Sequence, residues 1–392
     1  MATNVTPFDA IIVGGGPAGS ACARVLVRGG LRVAVFDRKR FPRVKLCAGW
    51  LSPPVWDVLE LSRREYPGGL WEWHRCHVQY RGRRHTVASR GDFIRRYELD
   101  DFLLRRSGAT VVDGHAVQSL ERGDGAWIVD GAYAARFLVG AGGTNCPVAR
   151  RLFPPKPDRP VAAQEREFPA DAAEVAATRV GADGEPELLL HDDLGGYSWN
   201  VPKGGWLNVG TGTAAAREVL AAWADARGFF VASGHVPASA RGALEHMEGH
   251  SYYLFDPAHL DACHRDGAFL VGDALGLAHP LTAEGILPAV LSGRTCAEAI
   301  LDGAPDGYRA RLEGHSTMRD YALTRALLRA GVALRGRLGG RGRARAPRWL
   351  SAAARVATAR GFAWMFGGRP LPYAGALRAV LRLTRNQVRS ER

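Results

Sequence analysis

The sequence predicts an α/β protein with a Rossmann-like nucleotide-binding domain, a second domain built on a mixed or antiparallel sheet, and a helical C-terminal region. Three observations carry this expectation. An apolar run, a glycine turn, a helical stretch and a second apolar run follow one another over residues 8–37. Short alternating runs punctuated by glycines occupy about residues 160–265. After Gly303 the apolar spacing becomes helical, with Arg on the polar positions.

Taken in order, residues 8–13 read as a strand, 17–28 as a helix and 32–36 as a second strand, which is a βαβ opening. Residues 41–56 read as a Pro/Gly-punctuated loop and 71–90 as alternating strands. Helical spacing returns at Leu99, Phe102 and Leu103, and strands are expected at 110–112, 126–129 and 135–139. Within the second domain the runs 187–191, 197–201 and 206–210 alternate between glycine turns. Residues 268–271 return to the first domain as a strand, and 286–300 read as a helix. The nucleotide domain is therefore expected to be discontinuous, over residues 1–70, 91–158 and 266–303. Residues 71–90 and 159–265 form the second domain, and 304–392 the Arg-rich helical region.

The chain has 392 residues, enough for two or three domains, and its 46% hydrophobic content is that of a globular protein. No basic and apolar leader precedes the first strand, and no uninterrupted apolar run is long enough to span a bilayer. The expected location is the cytoplasm, with peripheral attachment to the inner face of the cell membrane as an added reading. That reading comes from charge. Residues 1–320 carry 36 Lys and Arg against 38 Asp and Glu, whereas 321–392 carry 16 Arg against Glu391 alone. Leu323, Leu327 and Leu328 with Arg325 and Arg329, and later Leu377, Val380 and Leu381 with Arg378, Arg382 and Arg385, read as cationic amphipathic helices. Ordinary helices packed on the first domain give the same pattern. Nucleic acid is not an expected partner, because no recognition fold or stacking platform accompanies the arginines. The six cysteines are scattered without metal-ligand spacing, so free thiols and no metal are expected.

Gly14, Gly16 and Gly19 fit G-x-G-x-x-G between a strand and a helix, with Pro17 and Ala18 inside the turn. The glycines allow a tight turn and let a pyrophosphate reach the helix N-terminus. Asp37 ends the next strand, where an acid holds ribose hydroxyls, with Arg38 beside it. Far downstream, Val271-Gly272-Asp273-Ala274 runs on through His279-Pro280 to Glu284-Gly285-Ile286.

This pair of segments resembles the FAD proteins of the p-hydroxybenzoate hydroxylase class, and more closely the geranylgeranyl reductase family, over residues 8–300. The resemblance implies that Asp273 meets the flavin ribityl chain and that Gly285 and Ile286 direct backbone N–H groups at the isoalloxazine. It also implies that Arg96, in an R-x-x-x-D element, lies by the flavin, and that Val117 borders the cofactor. Lys45-Leu46-Cys47-Ala48-Gly49 is similar to the family's K-x-C-G-G loop, with Ala48 in place of a glycine. Tyr197-Ser198-Trp199-Asn200-Val201-Pro202 is similar to its Y-x-W-x-F-P element, with Val201 in place of Phe. Lys45, Ala48 and Gly49 join the expected cofactor contacts; Tyr197, Trp199 and His279 are the expected substrate contacts. Gly142-Gly143 stands where many relatives carry Asp-Gly, so a second polar contact is expected to be missing.

The function implied is FAD-dependent saturation of carbon-carbon double bonds in a geranylgeranyl or polyprenyl substrate. Such chemistry needs hydride at one carbon and a proton at the other. Cys47 is the candidate by motif, as proton donor or as a group shaping the face of the ring. Only one dinucleotide fingerprint is present, so electrons are expected from NAD(P)H docking transiently or from another reduced carrier. The alternatives are a flavin-dependent monooxygenase or halogenase of a small-molecule pathway, and a flavin-binding protein without turnover.

Overall fold

The structure is a computed structural model that describes residues 5–178 and 183–339. Its first sheet is mostly parallel, in the order His264–Arg265, Ala268–Leu270, Tyr133–Gly140, Thr6–Val13, Val33–Asp37 and Thr110–Asp113. Ala10 to Val13 and Val33 to Phe36 are buried without alternation, as strands covered on both faces must be. Leu120–Arg122 and Trp127–Val129 extend this sheet as an antiparallel hairpin.

Two helices decide where the site lies. Pro17–Arg28 starts with Pro in its first turn and ends at Gly29, an arrangement that suits the fixed proline φ and the freed C-terminal carbonyls. Its near face includes the small residues Ala18 and Cys22, and Ile286–Leu301 packs against it. The approach is close enough that a Cβ on Gly293 would lie 2.2 Å from the Ala18 carbonyl oxygen. This backbone-to-backbone packing carries the Gly285 turn to the glycine turn at 14–16, some 270 residues upstream in sequence.

The second sheet has the order Glu248–Tyr252, Val161–Pro169, Trp206–Thr213, Gly196–Pro202, Glu187–Leu190, Leu70–Tyr80, Arg83–Ile94 and Trp50–Leu51. Among the described residues its one parallel pair is Glu187–Leu190 against His77–Gln79. The loop expected over 41–56 contains a strand at Trp50–Leu51 and leads into a helix at Pro54–Leu59. The second sheet accordingly reaches beyond the expected 71–90: Phe93 pairs with both Trp50 and Trp71. Phe93 stacks on Trp73, and Trp50 meets both rings edge-on, so aromatic packing extends the sheet across that boundary. Helix Val219–Ala232, which packs Trp223, Ala226 and Phe230 on the far face of the sheet, was not expected either. Its spacing is hidden by an exposed Leu220 and an interior Gly228.

Helices Tyr308–Gly314 and Ser316–Gly339 pack on the first domain through Tyr308, Leu312, Met318 and Tyr321. Arg325 and Arg329 both reach the Asp256 carboxylate. These two arginines, read from the sequence either as facing anionic lipid or as the polar face of a helix packed on the first domain, are engaged within the protein. Leu377, Val380, Leu381, Arg378, Arg382 and Arg385 lie outside the described residues. Among the described residues no helix is long and apolar enough to cross a membrane.

Candidate active site

A cavity of about 440 Å³ runs between the two sheets, from the glycine turn to the aromatic face of the second sheet. Its size is that of a cofactor or ligand pocket. Gly14, Gly16, Pro17 and Ala18 form one end. Gly14 adopts φ +120°, and a Cβ there would lie 2.3 Å from the Ala141 carbonyl oxygen, so only glycine fits. Gly19 does not line the cavity; a Cβ on it would meet the Gly14 carbonyl at 1.9 Å, and its role is to let the helix close on the turn. The N-cap Gly16 offers no side-chain cap and the first turn carries no acid, leaving N–H groups of the helix start for an anion.

Asp37 lines the same end and accepts hydrogen bonds from the Gly15 and Lys39 N–H groups, each at 2.9 Å. Arg38 and Val117 border it. Sequence reasoning missed Arg43, which sits 3.7 Å from Asp37 and 3.2 Å from Asp100. A lone arginine in a loop carries no local signal; only the fold brings the two carboxylates to it. Arg96 is buried and binds Asp100 in fork geometry at 2.6 and 2.8 Å. Burial works against its charge, but Asp100 outweighs it and pushes the guanidinium pKa above its ordinary value.

Asp273, Gly285 and Ile286 form the opposing wall. A Cβ on Gly285 would stand 3.4 Å from an Asp273 carboxylate oxygen, which places the acid beside the uncapped start of helix Ile286–Leu301. Glu284, also on this wall, accepts a hydrogen bond from Ser52 at 2.5 Å, and burial raises its carboxyl to about 7. Ala283 holds φ +59°, a costly backbone for a non-glycine residue, in the turn between them.

Lys45, Cys47 and Ala48 border the cavity, whereas Gly49 does not. Gly49 has φ +68° and packs so tightly on Ile94 that a Cβ would lie 1.9 Å from its carbonyl oxygen, so the loop admits only glycine there. The Cys47 sulfur receives the Gly49 N–H at 3.3 Å and lies beside the Arg96 guanidinium. Trp199 donates its indole N–H to Asn208 at 2.7 Å, and the Asn208 amide donates to the Cys47 carbonyl at 3.3 Å. The cysteine loop and the aromatic element are therefore joined through one asparagine.

Tyr197 and Trp199 line the cavity with ring centroids 5.9 Å apart. The Tyr197 hydroxyl donates to the Thr282 carbonyl at 2.5 Å, tying the second sheet to the Asp273–Gly285 loop. His279 does not reach the cavity. Its Nδ1 accepts the Leu281 and Thr282 N–H groups at 3.1 and 2.9 Å, and its ring edge meets Tyr321 at 4.6 Å. Burial lowers its pKa to about 3, so it stays neutral and holds the loop.

The residues present fit an FAD. Two helix starts without side-chain caps face the cavity, glycines leave room where a Cβ would collide, and Asp37 and Asp273 both line it. Gly142 and Gly143 border the cavity in place of a second acid.

A family profile described as NAD(P)-binding Rossmann-like domain matches residues 12–44. The menaquinone reductase of Mycobacterium tuberculosis is 28% identical over 347 residues, covering 74% of this chain and 76% of its own. The chloroplastic geranylgeranyl diphosphate reductase of Oryza sativa is 29% identical over 346 residues, covering 79% and 69%. Among solved structures, a geranylgeranyl bacteriochlorophyll reductase-like protein from Thermoplasma acidophilum superposes with a TM-score of 0.64 at 20% identity, covering 82% of this chain and 87% of its own. The myxobacterial chondrochloren halogenase superposes with the same TM-score at 19% identity, covering 83% and 82%. The fold is common to both; the sequence relatives named here are reductases.

Proposed function

We infer that this chain, a relative of the geranylgeranyl and menaquinone reductases, is an FAD-dependent oxidoreductase that saturates carbon-carbon double bonds of an isoprenoid substrate. One observation carries the reading: the cavity is continuous from the glycine turn to a floor of Leu188, Tyr197 and Trp199. A flavin held at one end and a hydrocarbon laid on the floor at the other share one enclosure. Bound FAD supplies hydride. Gly14, Gly16 and the start of helix Pro17–Arg28 would hold its pyrophosphate, and Asp37 its ribose. Asp273, Gly285, Ile286 and Arg96 would border the flavin end, and the Ile286 helix start would stabilise negative charge on a reduced ring.

Cys47 borders the cavity, its sulfur accepting the Gly49 N–H and lying beside Arg96. Such a sulfur would shape the ring face. If Cys47→Ser reduced bound flavin normally and saturated substrate at the wild-type rate, this role would be lost. NAD(P)H docking over the flavin, or another reduced carrier, would deliver electrons. Incubation of the flavin-loaded enzyme with dithionite and a panel of prenyl lipids, read by mass spectrometry for a gain of two hydrogens, tests the whole reading. No such gain with any lipid would overturn it.

The shared fold with a flavin halogenase favours oxygen chemistry as the second reading. Rapid mixing of reduced enzyme with oxygen separates the two: a long-lived flavin hydroperoxide band supports oxygenation and counts against a reductase. A prenyl substrate places the work at a membrane surface, and the Arg-rich segment 341–392 is proposed to dock there. Co-sedimentation with anionic liposomes that disappears when 341–392 is deleted is the expected result; no binding at low salt would end the idea.

A further inference from the structure

Opposed residues of antiparallel strands share a sheet face, so Leu188, Trp199, Gly210 and Glu165 form one row across the second sheet on its cavity side. Gly210 supplies the space for the indole: a Cβ there would lie 2.4 Å from the Trp199 ring and 2.7 Å from the Glu165 Cβ. The row is an apolar and aromatic floor that ends in a carboxyl group.

Glu165 is 1% exposed and lines the cavity, yet neither of its carboxyl oxygens has a hydrogen-bond partner among the described residues. The contrast with Glu167, two residues along the same face, is informative. Glu167 is bound by Lys203 at 2.6 Å and by Arg95 at 2.8 Å. Lys45 donates to its own loop at the Leu46 carbonyl. Cations are close, but their hydrogen bonds go elsewhere. A buried carboxyl without a partner is costly, and it persists where a ligand or a reaction uses it.

We propose that Glu165 is the catalytic acid of this site, delivering the proton that completes saturation of an alkene lying on the Trp199 floor. The proposal deepens the isoprenoid-reductase reading and rests on it. The balance is simple. Reduced flavin is the hydride donor and gives two electrons and a hydrogen to one alkene carbon. The Glu165 O–H bond breaks, its proton forms a C–H bond at the other carbon, and the π bond is consumed. The carboxylate left behind takes a proton from solvent before the next turnover.

The surroundings keep a proton on this group near neutrality. Burial raises its carboxyl to about 7, and Glu167 adds to the rise, while Lys45, Lys203 and Arg96 oppose it. His250, on the adjoining strand, is held neutral by burial and by Lys45 and Arg96, with its pKa lowered to about 3, so it adds no cation. Tyr197 and Tyr252 face the same space as neutral phenols, their pKa values raised first of all by burial. Glu248 pairs with Glu165 from the edge strand, and Glu284 stands on the opposite wall.

The test uses Glu165→Gln, which keeps the shape and removes the transferable proton, with Glu165→Asp as a conservative partner. In flavin-loaded enzyme, Glu165→Gln is expected to lower saturation by about 100-fold or more while flavin content and prenyl-lipid binding change less than about twofold. Glu165→Asp is expected to restore part of the rate. The wild-type rate should fall above pH ~7, tenfold per unit, and that limb should be absent from the residual Glu165→Gln rate. A readout independent of turnover is the infrared difference between wild type and Glu165→Gln, which separates Glu165 from Glu284. A protonated-carboxyl band present at pH 6 and lost by pH 8 is expected. A wild-type rate in Glu165→Gln, or no such band at pH 6, overturns the proposal. Wild-type enzyme that saturates no prenyl lipid overturns the isoprenoid reading itself, and the proton step falls with it.

Discussion

The two ends of the cavity are organised in opposite ways. At the glycine-turn end two carboxylates are held by protein partners: Asp37 takes two backbone N–H groups and faces Arg43, and Asp100 takes the Arg96 fork and Arg43. At the floor of the second sheet, Glu165 and the Nδ1 of His250 are buried without a protein partner among the described residues. A set of satisfied ion pairs fixes geometry before a ligand arrives, which suits a cofactor that stays bound. Groups left unpaired are instead available to a substrate that comes and goes, at a stability cost the rest of the fold must offset.

The largest expected break is at the rigid end. Gly14→Ala forces a side chain into the Ala141 carbonyl at a backbone angle that L-residues avoid, so the protein should purify without flavin. Absorbance at the flavin band, followed by FAD titration, checks this; retained flavin of ordinary affinity would show that the turn does not hold the pyrophosphate.

A change on the floor should leave the cofactor in place and spoil the chemistry. Gly210→Ala displaces the Trp199 indole, and about a 100-fold loss of prenyl-lipid turnover with normal flavin content is expected. Tryptophan fluorescence would report the displaced ring. Loss of flavin together with turnover would mean that the two ends are not separable.

A third, smaller effect concerns stability and pH. The folded pKa of Glu165 is raised from 4.5 to about 7, so the proton it holds stabilises the fold fully below pH ~4.5. That stabilisation is lost as pH rises through about 7, because the native state must then bury a charge. The loss is at most ~4 kcal/mol, from 1.4 kcal/mol per pKa unit over a rise from 4.5 to about 7. Glu165→Gln should therefore melt above wild type at pH 8 by several degrees, with the gap closing toward pH 5. Equal melting at both pH values would place Glu165 in a solvated setting.

The smallest expected effect lies away from the cavity. Asp256→Asn weakens the clamp from Arg325 and Arg329 on helix Ser316–Gly339. A loss of about 1 kcal/mol in chemical denaturation is expected, since Arg329 is largely exposed and its pairing is screened. Faster hydrogen exchange confined to that helix, with flavin content unchanged, would match.

The legible part of this protein is local. The glycine turn, the burial of residues 10–13 and 33–36, and the spacing of helix Pro17–Arg28 follow from side-chain size and apolar periodicity within a few residues, and each could be read from the chain. Tyr197 and Trp199 share a face because strand side chains alternate, which is also a local rule. Gly19 and Gly49, expected as ligand contacts, are set by backbone packing off the cavity wall, because a glycine required for packing looks the same in sequence as one required for a ligand. His279 holds its loop through Nδ1, and a histidine near a glycine motif carries no mark in sequence that its nitrogen caps a loop.

By itself, then, the sequence determined a nucleotide-binding α/β domain, a second sheet with an aromatic face, and a flavin resemblance carried by two distant segments. Tertiary structure alone decided that Arg43 stands between Asp37 and Asp100, that Asn208 joins Trp199 to Cys47, and that Glu165 is buried without a partner while Glu167 is paired. Those properties depend on which groups meet across long separations and on how much water they lose. No spacing along the chain encodes a desolvated carboxyl; it exists only once strand Val161–Pro169 is set between its neighbours and the cavity closes over it.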